Sequence, residues 1–138
     1  MPEDPSNPED PRPATVLCVE DEPVCMELVA AMLSPCQGVR LLKAYSGHDG
    51  VRVAQAEFPD VVLLDMNLPD IGGLDVVRAL SEQISKDGLR VVLLTADALS
   101  IDVIKAMSLG ATAYWRKPLN VEQATAGLRR LLGDAMAA

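Results

Sequence analysis

The segment Val61-Val62-Leu63-Leu64-Asp65 constrains the fold more than any other, because four apolar residues without alternation run straight into a carboxylate. A strand with no polar face is covered on both sides, as in a parallel sheet layered between helices. Its tip is then a charged group at the carboxyl edge of the sheet, where open α/β sheets bind their ligands. Turn-forming residues follow in Pro69-Asp70-Ile71-Gly72-Gly73, so Met66 to Gly73 is expected as a loop at that edge. Burying Asp65 is costly unless something uses it.

The rest of the chain supplies four more strands and five helices. Thr15 to Val19 is a short apolar strand that runs into Glu20-Asp21-Glu22, and Pro23 opens a helix with Val24, Leu28, Val29, Met32 and Leu33 on its inner face. Pro35 to Gly38 turns into a second strand, Val39 to Ala44, and Ser46 caps a second helix that reaches Phe58. Leu74 to Ile84 carries helical spacing and is stopped by Lys86-Asp87-Gly88. Arg90 to Leu94 is another continuous apolar strand, ending in Thr95, and Ser100 to Leu109 is a helix closed by Gly110. Tyr114 and Trp115 form the fifth strand, Arg116-Lys117-Pro118 ends it, and Asn120 caps a last helix, Val121 to Leu132, with Val121, Leu128 and Leu131 inward. Such alternation predicts a doubly wound α/β domain with a five-stranded parallel sheet and five helices.

Composition narrows the ligands. The 138 residues suit one domain, placed over 14–133 with a short tail at 134–138. Met1 to Pro13 holds five prolines and four acids and is expected as a disordered tail or the remains of a linker. A formal net charge of −8 disfavours direct binding to nucleic acid or an anionic membrane and favours cations or proteins. No apolar run approaches the roughly 18 residues of a membrane span, and the amino terminus lacks a basic, apolar signal pattern, so a cytoplasmic location is expected. Cys18, Cys25 and Cys36 are odd in number and lie among apolar neighbours, which favours buried free thiols over a disulfide or zinc site. The single His48 is expected as a surface residue of helix two.

The polar strand ends belong together. Glu20 and Asp21 follow strand one, Asp65 strand three, Thr95 strand four and Lys117 strand five, all at one edge of the sheet. Converging carboxylates repel, and a hard divalent cation compensates; few carboxylates with open water positions suit magnesium better than an enclosing calcium cage. Lys117 adds a point charge for an anion. A carboxylate ringed by a hydroxyl, an ammonium and magnesium has the parts for phosphoryl transfer, with the carboxylate oxygen as nucleophile. Singly, each residue has a plainer use: Asp65 as a strand terminator, the acids at the positive end of helix one, Thr95 as a helix cap, Lys117 as a solvated lysine. Their convergence outweighs these uses.

Over about Thr15 to Leu132 the sequence resembles the receiver domain of two-component response regulators. The motifs are Val19-Glu20-Asp21-Glu22-Pro23, Leu64-Asp65-Met66-Asn67-Leu68-Pro69, Leu94-Thr95-Ala96 and Trp115-Arg116-Lys117-Pro118. The resemblance implies a flavodoxin-like sheet of order 2-1-3-4-5 with Asp65 as phosphoacceptor. It implies magnesium bound by Asp21, Asp65 and the Asn67 backbone carbonyl, with Glu20 acting through water, and Thr95 and Lys117 on the phosphoryl oxygens. Thr95 and Tyr114 are the expected switch pair, Asn67 and Asp97 flank the water that removes the phosphoryl group, and Lys117-Pro118 is expected in the cis form.

What the resemblance implies is a signalling domain rather than an enzyme, with only self-phosphorylation and self-dephosphorylation chemistry. The phosphoryl donor is a histidine kinase or histidine phosphotransfer protein. The output is a downstream protein docked on the face of helix four, strand five and helix five, and a homodimer is compatible with it. The chain is a single-domain regulator or the receiver of a larger hybrid kinase. A haloacid-dehalogenase-like phosphohydrolase is the enzymatic alternative, but Asn67 stands where that pattern has a second aspartate. A receiver-like adaptor that binds without phosphorylation is the other. Two departures from the family pattern stand out: Gly72 replaces a common acid before Gly73, which makes that loop more pliant, and Glu20 replaces the more frequent aspartate.

Overall fold

The computed structural model describes residues 13–136. Five parallel strands, β1 (Ala14–Val19), β2 (Val39–Ala44), β3 (Val61–Asp65), β4 (Arg90–Thr95) and β5 (Ala113–Arg116), form one sheet of order β2-β1-β3-β4-β5. Between and after them run α1 (Pro23–Leu33), α2 (Gly47–Glu57), α3 (Gly73–Ala79), α4 (Ser81–Lys86), α5 (Ile101–Ser108) and α6 (Val121–Leu132). The expected doubly wound architecture and strand order are observed.

Strand alternation divides the core. Leu17, Val19, Val62, Leu64, Val91 and Leu93 face α2, α3 and α5, whereas Val16, Cys18, Val61, Leu63, Val92 and Leu94 face α1 and α6. Both faces of β3 are closed, which is why Val61 to Leu64 shows no polar alternation. Register then aligns the strand ends: Val19 pairs with Leu64, and Asp65 with Leu94.

Caps explain the helix starts. Ser46 Oγ accepts from Asp49 N–H at 3.2 Å, Ser100 Oγ from Val103 N–H at 3.2 Å, and Asn120 Oδ1 from Gln123 N–H at 3.0 Å. α1 has no side-chain cap and begins instead on Pro23, whose missing N–H needs none.

Four expectations need correction. The helix read over Leu74 to Ile84 is two helices, so six rather than five are present among the described residues. Leu80 N–H is shared between Val76 O and Val77 O, the turn tightens there, and the redirected α4 buries Gln83, whose Nε2 donates to Ala54 O at 3.0 Å. Val24 and Val121, expected inward, are 79% and 45% exposed, because each stands in the first turn of its helix, beyond the rim of the sheet. Cys18 and Cys36 are buried but Cys25 is only partly so; all three are free thiols. Gly133–Met136, where a tail is expected from 134, is a 3-10 turn with Met136 buried against the α1 and α6 side. The expected tail over 1–13 lies, apart from Pro13, outside the described residues. Among those residues no helix is long and apolar enough to cross a membrane.

Candidate functional site

Alternation also sorts the polar strand ends. Glu20 continues the side-chain phase of Val16 and Cys18, Asp65 that of Val61 and Leu63, and Lys117 that of Trp115, so all three project on the α1 and α6 side of the carboxyl edge. Thr95 continues the phase of Val91 and Leu93 and projects to the other side.

Glu20 has no exposed surface and Asp65 almost none. Lys117 Nζ lies 2.6 Å from Glu20 Oε1 and 3.4 Å from Asp65 Oδ1. Exposed Asp21 completes a group in which one carboxylate oxygen from each of Glu20, Asp21 and Asp65 lies within 4.8 Å of the others. The backbone holds the carboxylates in place: Glu22 N–H donates to Glu20 Oε2 at 3.3 Å and Asn67 N–H to Asp65 Oδ1 at 3.0 Å.

One ammonium does not neutralise three carboxylates. Burial, then the hydrogen bond with Glu20, pushes the Asp65 carboxyl up to about 6, and the Asn67 amide and Lys117 oppose this only in part. Burial also pushes Glu20 upward, but hydrogen bonds from Asp65 and Lys117 outweigh it and hold Glu20 below the ordinary carboxylate range. Within this pair Asp65 is therefore the weaker acid and the one that accepts a proton first. Burial lowers Lys117, and the two carboxylates more than reverse this, so its ammonium stays charged. The Cys25 thiol is pushed up to about 12 by burial and by its contact with Glu20, which leaves it a neutral neighbour rather than a nucleophile.

The donor set fits magnesium: hard oxygens, excess negative charge and one exposed ligand that leaves room for water. Gly73 has a steric reason at this site. A Cβ there would lie 2.5 Å from Met66 Sδ and 2.8 Å from Met66 Cα, and the loop base is closed by Gly73 N–H on Met66 O at 3.2 Å. Gly72 has none, since a Cβ there meets nothing within 4 Å.

The structure thus gathers Glu20, Asp21, Asp65 and Lys117, with Asn67 at the mouth. Thr95 is buried at the same edge on the other side of the sheet, and its hydroxyl is engaged: Oγ1 donates to Asp97 O at 3.0 Å and accepts from Asp97 N–H at 3.0 Å. Asp97 in turn accepts from Leu99 N–H at 3.0 Å. Tyr114 is 44% exposed on the face opposite Trp115, which packs against the α1 and α6 side. The Lys117-Pro118 peptide is cis. Sequence reasoning missed Asp70, whose carboxylate accepts from Gly47 N–H and His48 N–H, each at 2.8 Å, and is held down to about 2 mainly by the His48 amide. The only signal was an aspartate in a turn.

A family model described as the response regulator receiver domain matches residues 16–129. Among curated proteins, the chain is 40% identical over 123 residues to a probable transcriptional regulatory protein, TcrX, of Mycobacterium tuberculosis, covering 89% of this chain and 51% of that protein. It is 35% identical over 109 residues to protein PilH of Pseudomonas aeruginosa, covering 79% of this chain and 89% of PilH. The chain thus spans about half of TcrX and most of PilH. Among solved structures, chemotaxis protein CheY4 of Vibrio cholerae superposes with a TM-score of 0.77 at 27% identity, covering 87% of this chain and 99% of that one. The receiver domain of a sensor histidine kinase from Pseudomonas aeruginosa, solved with magnesium in its active site cleft, gives 0.76 at 30% identity, covering 88% and 98%.

Proposed function

From the premise that the chain belongs to the response regulator receiver domain family of two-component systems, we propose that Asp65 is its phosphoacceptor and that the donor is a phosphohistidine on a partner protein. One observation carries this reading: Asp65 is a nearly buried carboxylate with an ammonium at 3.4 Å and two further carboxylates at cation-binding distance.

In the transfer, an Asp65 carboxylate oxygen attacks phosphorus, the P–N bond breaks, and its electron pair returns to the partner's imidazole. Lys117 is placed to take the growing charge on the phosphoryl oxygens, and Asn67 N–H fixes the rotamer of Asp65. Glu20, Asp21, Asp65 and the Asn67 carbonyl are the residues to hold magnesium, which when bound supplies charge neutralisation and in-line orientation.

The same reading assigns the switch. Thr95 gives up its two bonds to Asp97 to reach a phosphoryl oxygen, and Tyr114 takes the space it leaves. Phosphorylation adds about −1.5 to −2 charge, enough to bias such a two-state element by orders of magnitude. Output then leaves through α5, β5 and α6, the face expected from sequence as helix four, strand five and helix five. Exposed Leu99, Ile101 and Ile104 at and before the start of α5, and exposed Tyr114 on β5, support a protein partner there. Asn67 is exposed at the mouth and Asp97 is turned toward Leu99, and both are small and polar. Making Asn67→Met and Asp97→Leu together is expected to lengthen the phosphoryl lifetime, and unchanged decay would remove these positions from the path of water.

The test of the reading is incubation with magnesium and acetyl phosphate, read by intact mass. Wild type gains one base-labile phosphoryl group, and Asp65→Ala gains none. Undiminished labelling of Asp65→Ala would refute the assignment.

A further inference from the structure

We propose that Asp70 is a positioning residue for the cation site: by pinning the tip of the β3–α3 loop to the first turn of α2, it fixes the Asn67 carbonyl and couples cation binding to α2. The inference rests on the proposed reading of Asn67 as a ligand.

Two anchors define this loop. Its base is closed by Gly73 N–H on Met66 O at 3.2 Å. Its tip is held by Asp70, whose Oδ1 accepts from Gly47 N–H and Oδ2 from His48 N–H, both at 2.8 Å, across 22 and 23 residues of chain. Asn67 lies on the leg between the two anchors. The Asn67 N–H is already held by Asp65 Oδ1 at 3.0 Å, which leaves the peptide on its carbonyl side to be set by the tip; with the tip fixed, that carbonyl is aimed before any cation arrives, and preorganisation of this kind raises affinity.

A second observation shows that the two loops are built to touch. A Cβ at Gly47 would lie 2.4 Å from Ile71 Cγ1 and 3.3 Å from Asp70 Oδ1, so only glycine admits this approach. Gly47 and His48 are among the first residues of α2, whose amides have no partner within the helix. Asp70 thus satisfies two donors that α2's own cap, Ser46, leaves open, since Ser46 Oγ is occupied by Asp49 N–H.

Coupling of this sort is reciprocal: what α2 does for the loop, a cation on the loop does for α2. Magnesium binding is expected to slow hydrogen exchange at the Gly47 and His48 amides.

The test is a magnesium chloride titration of the full chain followed by amide NMR shifts, with hydrogen exchange on the same samples. Asp70→Ala is expected to weaken magnesium affinity by about tenfold and to abolish the magnesium-dependent protection of Gly47 and His48. Ser46→Ala, which removes the helix's own cap and leaves the loop anchor intact, is expected to lose stability and keep wild-type affinity. Asp70→Asn keeps one acceptor oxygen and turns an amide nitrogen toward the other helix N–H, so it is expected to recover part of the affinity and the protection of one of the two amides. Wild-type affinity in Asp70→Ala would overturn the proposal. So would equal weakening in Ser46→Ala, which would trace the effect to α2 stability, or wild-type affinity in Asp70→Asn with neither amide protected, which would separate the anchor from the cation site. Absence of magnesium binding by wild type would instead refute the cation site itself, a different failure with a different reading.

Discussion

The two edges of the same sheet treat charge in opposite ways. At the amino edge, Asp60 Oδ2 accepts from Thr15 N–H at 2.7 Å, Arg40 pairs with Glu57 at 3.0 Å in the open, and Arg90 Nη1 donates to Leu131 O at 2.6 Å. Each charge there is exposed or answered one for one. At the carboxyl edge, Glu20 and Asp65 are buried together with a single ammonium between them. Both edges cap strands of one sheet, so folding alone does not require the second arrangement. On the proposed reading, the difference separates charge that serves the fold from charge held in readiness for a ligand.

The contrast is most sharply broken by removing one cation from each edge. Lys117→Met leaves two buried carboxylates unanswered and is expected to cost about 3 kcal/mol in urea denaturation at pH 7. Arg40→Met removes a solvent-exposed pair and is expected to cost less than about 1 kcal/mol. Similar losses at both positions would mean that the carboxyl edge is not under-neutralised.

A smaller effect of opposite sign is expected from Asp65→Asn in magnesium-free buffer. The Asp65 carboxyl is raised to about 6 in the folded chain, so its ionisation opposes folding: the folded state binds more protons than the unfolded one between about pH 4 and pH 6, and stability contributed by this group falls as pH rises through that window. Asp65→Asn is therefore expected to be more stable than wild type by on the order of 2 kcal/mol at pH 7, with the advantage disappearing below about pH 4. Magnesium should close the gap by stabilising wild type. A destabilised Asp65→Asn at pH 7 would contradict the sign.

The smallest effect concerns Gly72, the amino-terminal cap position of α3, with φ −71° and ψ 159° and no side chain to offer. Open space around its Cβ position allows Gly72→Asp to cap the helix, and a gain of a few tenths of a kcal/mol in thermal unfolding is expected. A loss would show that the glycine is needed for loop motion rather than merely tolerated.

Much of this was legible in the sequence. Continuous Val and Leu runs announced β3 and β4 as strands buried on both faces, and the polar residue ending each strand announced the edge where a site would form. What stayed hidden depends on contacts between distant parts of the chain. Asp70 caps a helix 22 and 23 residues earlier, a partnership with no periodicity. Leu80 continues the apolar spacing of its helix and yet breaks it, because Gln83 gains a buried partner in Ala54. Val24 and Val121 have the right phase but stand one turn too early to reach the core. At the site, residue types were readable and their pairing was not: Lys117 lies nearer to Glu20 than to Asp65, and the Thr95 hydroxyl is held by Asp97.

The central claim is that the under-neutralised edge is where a phosphoryl group is accepted, and at Asp65. An aspartyl phosphate is reduced by borohydride to homoserine, whereas a free carboxylate is not, so the acceptor can be located by peptide mass spectrometry after treatment with acetyl phosphate and magnesium. Homoserine is expected at position 65 alone, dependent on magnesium and lost in Lys117→Met. Homoserine at Asp21, Asp60 or any other aspartate, the longer amino alcohol at a glutamate such as Glu20, or neither under conditions that bind magnesium, would contradict the account.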